Sequence, residues 1–415
     1  MTEPVDSRPS VWNFEPAAKI SGTNRVLPVD ATEARALAVM ALVPITRVSD
    51  VTPLDPLGLP AFAAVTPLAA DLTSHMGKGR DAASAKVSAI MEAVERVSAE
   101  APVPGATRRS SFAQLTREHP GVIDPVSLSL PSDSAYRPDA PFTWVESHDL
   151  MAGGPVWMAS DLVTNPPTEG ILREVDTNGL AAGNTLLEAT VHGLCEVIER
   201  DAWSQEEFVT LFGDENDPTP GRHRIDLGTL PGDAGAWAER VRRAGLELVV
   251  HDITSDVGVA TFQVFLTDPR HLTAFGPRPM HFLGLGTHPW AATAVFRAIS
   301  EAVQGRLSYI QGARDSYNTT PASSRSSTAA RRAAGVTPGT GVAFSDVASV
   351  WHDDVRDDLR FLVDRLVGTG LEHAVVTDLT RAELGIPVVR VRVPGLSGFV
   401  VNRRRVDWRC LRHLL

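Results

Sequence analysis

Apolar positions along this chain recur at helical spacing in two stretches about a hundred residues apart. In residues 78–96 (KGRDAASAKVSAIMEAVER) they are Val87, Ile90, Met91 and Val94. In residues 178–201 (NGLAAGNTLLEATVHGLCEVIERD) they are Leu187, Val191, Leu194, Cys195 and Ile198. Both stretches open near glycine and close on Glu-x-x-Glu-Arg, namely Glu92, Glu95, Arg96 and Glu196, Glu199, Arg200. At about 100° per residue, Ser88, Glu92 and Glu95 share a sector of roughly 60°. Glu188, Glu196 and Glu199 share one of roughly 80°. Each stretch therefore predicts a mostly buried helix with a line of carboxylates along one edge.

The rest of the pattern places further elements around these two. A helix over residues 31–42, capped by Asp30 or Thr32, precedes a strand. Residues 54–72 read as loop and strand, punctuated by prolines. The first glutamate helix spans 78–100, and a Pro/Ser-rich connection with one short helix fills 102–142. Two strands flank a turn at 151–154, and the second glutamate helix spans 186–203. After a polar, turn-rich stretch at 214–230 come a helix, a strand (LELVVHDI), a turn and a strand (VATFQVFL). Residues 283–286 lead into a helix at 291–310. A Ser/Ala/Gly/Arg-rich stretch at 311–340 reads as mobile. A last helix and two strands (HAVVTDL, PVVRVRV) occupy 358–393. There is no regular strand–helix–strand alternation, so the fold class is α+β.

Buried carboxylates need compensating charge. Five glutamates on the two stripes face two arginines, and hard cations are the simplest supplement. Mg²⁺ held by carboxylates usually arrives with substrate phosphates. A single Glu-x-x-Glu-Arg is ordinarily a solvated helix face. Two copies, both in otherwise apolar helices, weigh against that reading.

Composition narrows the class. The chain has 415 residues, 43% of them hydrophobic, which suffices for a substantial core. No apolar run is long enough to span a membrane, and the N-terminus lacks the basic start of a signal peptide. These features point to the cytoplasm. A net charge of −11 disfavours nucleic acid as a partner. The two cysteines, Cys195 and Cys410, make neither a disulfide framework nor a zinc site. Gly77-Lys78-Gly79 lacks the spacing of a P-loop, and Lys78 reads as a solvated loop residue. Gly284-x-Gly286 lacks the third glycine of a dinucleotide site. His75 and His192 read as structural.

From residues 25 to 399 the sequence resembles the YcaO-domain family. The resemblance lies in Ser88-x-x-x-Glu92-x-x-Glu95-Arg96, the run 178–201, RAISEAVQGR (297–306) and VVRVRVPGL (388–396). It implies a YcaO-like α+β fold of mixed sheets flanked by helices, with ATP between lobes. Residues 1–24 would be an N-terminal extension and 400–415 a tail. It implies ATP-dependent O-phosphorylation of a peptide backbone amide, giving an azoline, amidine or thioamide. By motif position Glu92, Glu95, Glu188, Glu196 and Glu199 would hold Mg²⁺, and Arg200 would meet phosphate. Ser88 belongs to the same nucleotide site. Arg25 and Thr32 stand where the family has Lys and Ser. Gln304 and Arg306 match later phosphate contacts, with Arg314 a competitor. Azoline-forming members often end in Pro-x-Pro-x-Pro, whereas this sequence ends RRRVDWRCLRHLL, which favours a thioamide or amidine product. A precursor peptide is the implied substrate, and either a separate TfuA-like or E1-like partner protein or a standalone enzyme is implied. Family members commonly form homodimers. A non-catalytic peptide-binding module is the alternative reading, and loss of the glutamates would have signalled it.

Overall fold

The computed structural model describes residues 14–213, 223–269, 281–312 and 341–415. Among the described residues thirteen strands form three antiparallel sheets, and eight α-helices pack with them. The first sheet has the order β1-β2-β3, with β1 at Arg47–Asp50, β2 at Ala61–Val65 and β3 at Ser74–Lys78. The largest runs β4-β5-β12-β13-β7, with β6 on β5. Its strands are β4 (Thr107–Ser111), β5 (Pro141–Asp149), β6 (Gly154–Ala159), β7 (Leu180–Ala182), β12 (Val375–Asp378) and β13 (Val388–Arg392). The third runs β11-β10-β9-β8, from β8 (His223–Arg224) and β9 (Glu247–Asp252) to β10 (Thr261–Thr267) and β11 (His281–Thr287).

Three long helices matter most: α2 (Ala82–Glu100), α4 (Leu186–Phe212) and α6 (Ala291–Gln311). The others are α1 (Val29–Val39), α3 (Phe112–Glu118), α5 (Gly232–Arg243), α7 (Val355–Gly368) and α8 (Trp408–Leu411). Each long helix buries its apolar face in a different core. Ile90, Ala93 and Val94 of α2 pack with Trp144 and Leu180. Leu194 and Ile198 of α4 pack with Leu362 of α7 and Val391 of β13. Val295, Ile299 and Val303 of α6 pack with Phe262 and Val264 of β10. The polar edges of the three helices are thereby left to face one another.

The α+β expectation holds, and the two glutamate helices are where the pattern put them. Several boundaries moved for physical reasons. α2 starts at Ala82, not 78, because Asp81 caps it through the Ser84 N–H while Lys78 ends strand β3. α4 runs nine residues beyond Trp203, because Phe208 stays buried against Phe399 and Cys410. α1 has no side-chain cap. The Thr32 hydroxyl instead donates to the Pro28 carbonyl or to Asn184 Oδ1. Residues 283–286 belong to strand β11. A Cβ on Gly284 or Gly286 would lie 2.1 Å from a carbonyl oxygen of α6, so these glycines serve close strand–helix packing. Most of the 311–340 stretch, including Arg314, lies outside the described residues. No described helix is long and apolar enough to cross a membrane.

Candidate nucleotide and metal site

The polar edges of α2, α4 and α6 converge on a cavity of about 920 Å³. The N-terminal segment at residues 20–29 closes one side, and the end of β3 another. α2 contributes Ser88, Glu92 and Glu95, α4 contributes His192, Glu196, Glu199 and Arg200, and α6 contributes Arg297, Glu301 and Gln304. Lys78 enters from β3. A Cβ on Gly77 would lie 2.1 Å from the Ala89 nitrogen, so only glycine lets β3 ride this close to α2 and deliver Lys78.

Cations and carboxylates alternate around the wall. Lys78 Nζ lies 2.8 Å from Glu301 Oε2. Arg200 lies 3.2 Å from Glu199 and 3.7 Å from Glu196. Arg96 is held by Asp71 at 2.6 Å and reaches Glu92 only at 3.9 Å. Glu95 accepts the Ala182 N–H at 2.8 Å, which ties α2 to β7.

Three of these glutamates, Glu95, Glu196 and Glu199, are electrostatically uncomfortable. Desolvation in the cleft, with Glu92 and Glu196 nearby, pushes the Glu95 carboxyl up to about 8. Desolvation, opposed by Arg200 and reinforced by Glu301, pushes Glu199 up to about 7. Glu196 is raised as well, again chiefly by desolvation. Glu301 moves the other way, because Lys78 and Arg200 outweigh its burial. Desolvation works against the Arg200 cation, yet Glu199 and Glu196 hold its pKa above the ordinary value. A concentration of oxygen donors with raised pKa values suits a hard divalent cation, which would supply the missing positive charge. Among the described residues no group of three or more acidic, His or Cys side chains is arranged to hold a metal ion by itself.

Nine of the residues singled out by sequence line this cavity: Arg25, Thr32, Ser88, Glu92, Glu95, Glu196, Glu199, Arg200 and Gln304. Gln304 Nε2 also donates to the Met76 carbonyl, fixing α6 against β3. Two others lie elsewhere. Glu188 is buried at the start of α4, where it accepts the Val26 and Asn184 N–H groups at 2.6 and 2.8 Å, with Arg25 at 3.8 Å. Its oxygens organise the N-terminal segment instead of facing the cavity. Arg306 is buried against Asp55 at 2.7 Å, with Asp268 at 3.6 Å, and is absent from the cavity wall. The helical phase of α6 turns it toward the first and third sheets. Glu188 and Arg306, expected to hold Mg²⁺ and to meet phosphate, thus both lie off the wall of this cavity.

Four cavity residues escaped the sequence reading: Lys78, His192, Arg297 and Glu301. A signal existed for two of them. Arg297, Ser300, Glu301 and Gln304 form an i, i+3, i+4, i+7 polar stripe on an otherwise apolar helix. It lacks the Glu-x-x-Glu-Arg ending that marked the other two helices.

A family model described as YcaO cyclodehydratase, ATP- and Mg²⁺-binding, matches residues 76–397. An uncharacterized protein of Methanothermobacter thermautotrophicus is 33% identical over 391 residues, covering 89% of this chain and 94% of that protein. An uncharacterized protein in the tfuA 3′ region of Rhizobium leguminosarum bv. trifolii is 33% identical over 370 residues, covering 85% of this chain and 84% of that protein. The structure of YcaO from Methanopyrus kandleri bound with AMPPCP and Mg²⁺ has a TM-score of 0.72 at 25% identity, covering 95% of this chain and 98% of that one. A heterocyclase solved in complex with substrate and cofactor shares the fold, with a TM-score of 0.76 at 23% identity. The match covers 93% of this chain and 54% of the heterocyclase, about half its length. The chain therefore belongs to the YcaO cyclodehydratase family, and it is an ATP-dependent enzyme with Mg²⁺ as its metal cofactor.

Proposed function

We propose that this enzyme activates a backbone amide of a ribosomally made peptide by ATP-dependent O-phosphorylation, and that its product is a thioamide. The observation that carries the reading is the cavity in which Glu92, Glu95, Glu196 and Glu199 face Lys78, Arg200 and Arg297. Phosphoryl transfer asks a protein mainly for placement and charge neutralisation. The four glutamates would hold Mg²⁺, which supplies positive charge to the phosphate oxygens. Lys78, Arg200 and Arg297 would meet the phosphates directly, for which guanidinium groups are well shaped. Arg25, Thr32 and Ser88 would line the nucleoside end.

In the reaction a nucleophile adds to the amide carbonyl carbon, and the carbonyl oxygen takes the γ-phosphoryl group and departs with it as inorganic phosphate. Neither step requires a nucleophilic side chain from the protein. Sulfide as the nucleophile gives the thioamide. The relative in a tfuA 3′ region supports that product and a TfuA-like partner protein for this chain.

The test uses a peptide encoded beside this chain, with ATP, Mg²⁺, sulfide and the TfuA-like protein, read by mass spectrometry. Exchange of one oxygen for sulfur, dependent on ATP and abolished in Glu199→Gln, is the expected result. Loss of one water without sulfur would replace the thioamide with an azoline or an amidine. An unchanged peptide, with no ATP consumed, would contradict the reading.

A further inference from the structure

Arg297 differs from the other cations of the cavity. Lys78 sits on Glu301, Arg200 on Glu199 and Glu196, and Arg96 on Asp71. Among the described residues Arg297 has no carboxylate within ion-pair distance. Its guanidinium is held instead by a histidine, with Nη2 2.9 Å from His192 Nε2, while its Nε has no hydrogen-bond partner.

The chemistry of this contact is one-directional. Arginine only donates, so the imidazole Nε2 must be the acceptor and the ring neutral. His192 lies one turn from both Glu188 and Glu196, on the face of α4 that lines the cavity. The charged groups that act on it from packed elements are Arg297 of α6, Arg25 of the N-terminal segment and Lys78 of β3. All three are cations, and desolvation acts with them to keep the ring uncharged. A carboxylate in this place would orient Arg297 equally well but would cancel its charge. A neutral acceptor orients it and leaves the charge intact.

Resting on the reading that Arg297 meets phosphate, we infer that His192 is a positioning residue, a neutral tether that aims Arg297 at the nucleotide without neutralising it. Three features of the structure support this: the 2.9 Å contact, the absence of an ion pair to Arg297 among the described residues, and the shared position of both side chains on the cavity wall.

A double-mutant cycle tests the inference, with calorimetric titration of a non-hydrolysable ATP analogue in saturating Mg²⁺. His192→Ala should weaken binding about tenfold, the worth of one charge-assisted hydrogen bond. His192→Gln, whose amide oxygen can accept from Arg297, should stay within about threefold of wild type on the same scale. In an Arg297→Met background, His192→Ala should cost nothing further. The inference is overturned if His192→Gln binds as poorly as His192→Ala, or if His192→Ala costs the same with and without Arg297. If wild type ignores the analogue, or Arg297→Met binds it as tightly as wild type, the phosphate role given to Arg297 falls instead. A merely structural role for His192 would lower the melting temperature of every variant without showing this dependence on Arg297.

Discussion

At the scale of single residues, the site stores unfavourable charge that its ligands relieve. Glu95 and Glu199, pushed from an ordinary 4.5 to about 8 and about 7, bind more protons folded than unfolded between those limits. Stability of the nucleotide-free protein therefore falls as pH rises through this window, because the native state must ionise desolvated carboxyls. Their contribution is complete below pH 4.5 and lost by about pH 8. Glu95→Gln should remove part of this slope. At pH 8, without nucleotide, the variant should melt about 2 °C above wild type in calorimetry. The same variant should bind Mg·ATP more weakly. If Glu95→Gln melts lower than wild type at pH 8, the carboxyl is not strained there.

Residue identity was legible where helical phase alone decides which side chain reaches the cavity. Ser88, Glu92, Glu95, Glu196 and Glu199 were found that way. Phase could not show that Glu188 would spend its oxygens on the Val26 and Asn184 N–H groups. Nor could it show that Asp55, some 250 positions away, would take Arg306. Lys78 was missed because a lysine between glycines has the local look of a solvated turn. Its role comes from a strand pairing and from the Glu301 carboxylate on a distant helix.

At the scale of elements, three helices from three cores are held at distances set by small residues. β3 lies on α2 through Gly77, where an added methyl would meet the Ala89 nitrogen at 2.1 Å and the Ala85 carbonyl at 2.2 Å. Both obstacles are helix backbone and neither can move aside. Gly77→Ala should therefore destabilise the fold by about 2–3 kcal/mol, an overpacking cost, and displace Lys78 from the cavity. Urea unfolding and Mg·ATP titration would show both effects. Unchanged stability and affinity would mean that β3 can lift from α2 without consequence. The glycines of β11 do the same work against α6, which is why a Gly-x-Gly before a helix here carries no phosphate loop. Sequence patterning identified the helices but not these strand–helix contacts, since a glycine's neighbours across a layer leave no local periodicity.

At the scale of the whole molecule, buried ion clusters fasten distant segments around the site. Asp176 takes Arg392 of β13 at 3.0 Å and Arg405 of the C-terminal segment at 2.8 Å, with Arg390 nearby. Burial acts to raise the Asp176 carboxyl, but these arginines outweigh it and hold it well below the usual range. The ionised form is thus native, and its contribution is lost only in strong acid. Arg409 similarly grips Asp201, the residue after Arg200, at 2.6 Å and Asp256 at 2.6 Å. Asp176→Asn leaves three arginines buried with no carboxylate. It should cost about 3–5 kcal/mol in urea unfolding at pH 7. A loss below about 1 kcal/mol, the range of a surface pair, would mean the cluster is solvated. None of this was readable in sequence, where the last sixteen residues look like a loose basic tail. Their partners lie up to 277 positions away.

The central claim is that the three helix edges form one Mg²⁺-dependent nucleotide site. The most direct test is calorimetric titration of the purified protein with ATP, with and without Mg²⁺, alongside Glu199→Ala. Saturable binding only when Mg²⁺ is present, and its loss in Glu199→Ala with the fold intact, is the expected result. Binding that is indifferent to Mg²⁺, or that survives Glu199→Ala unchanged, would contradict it.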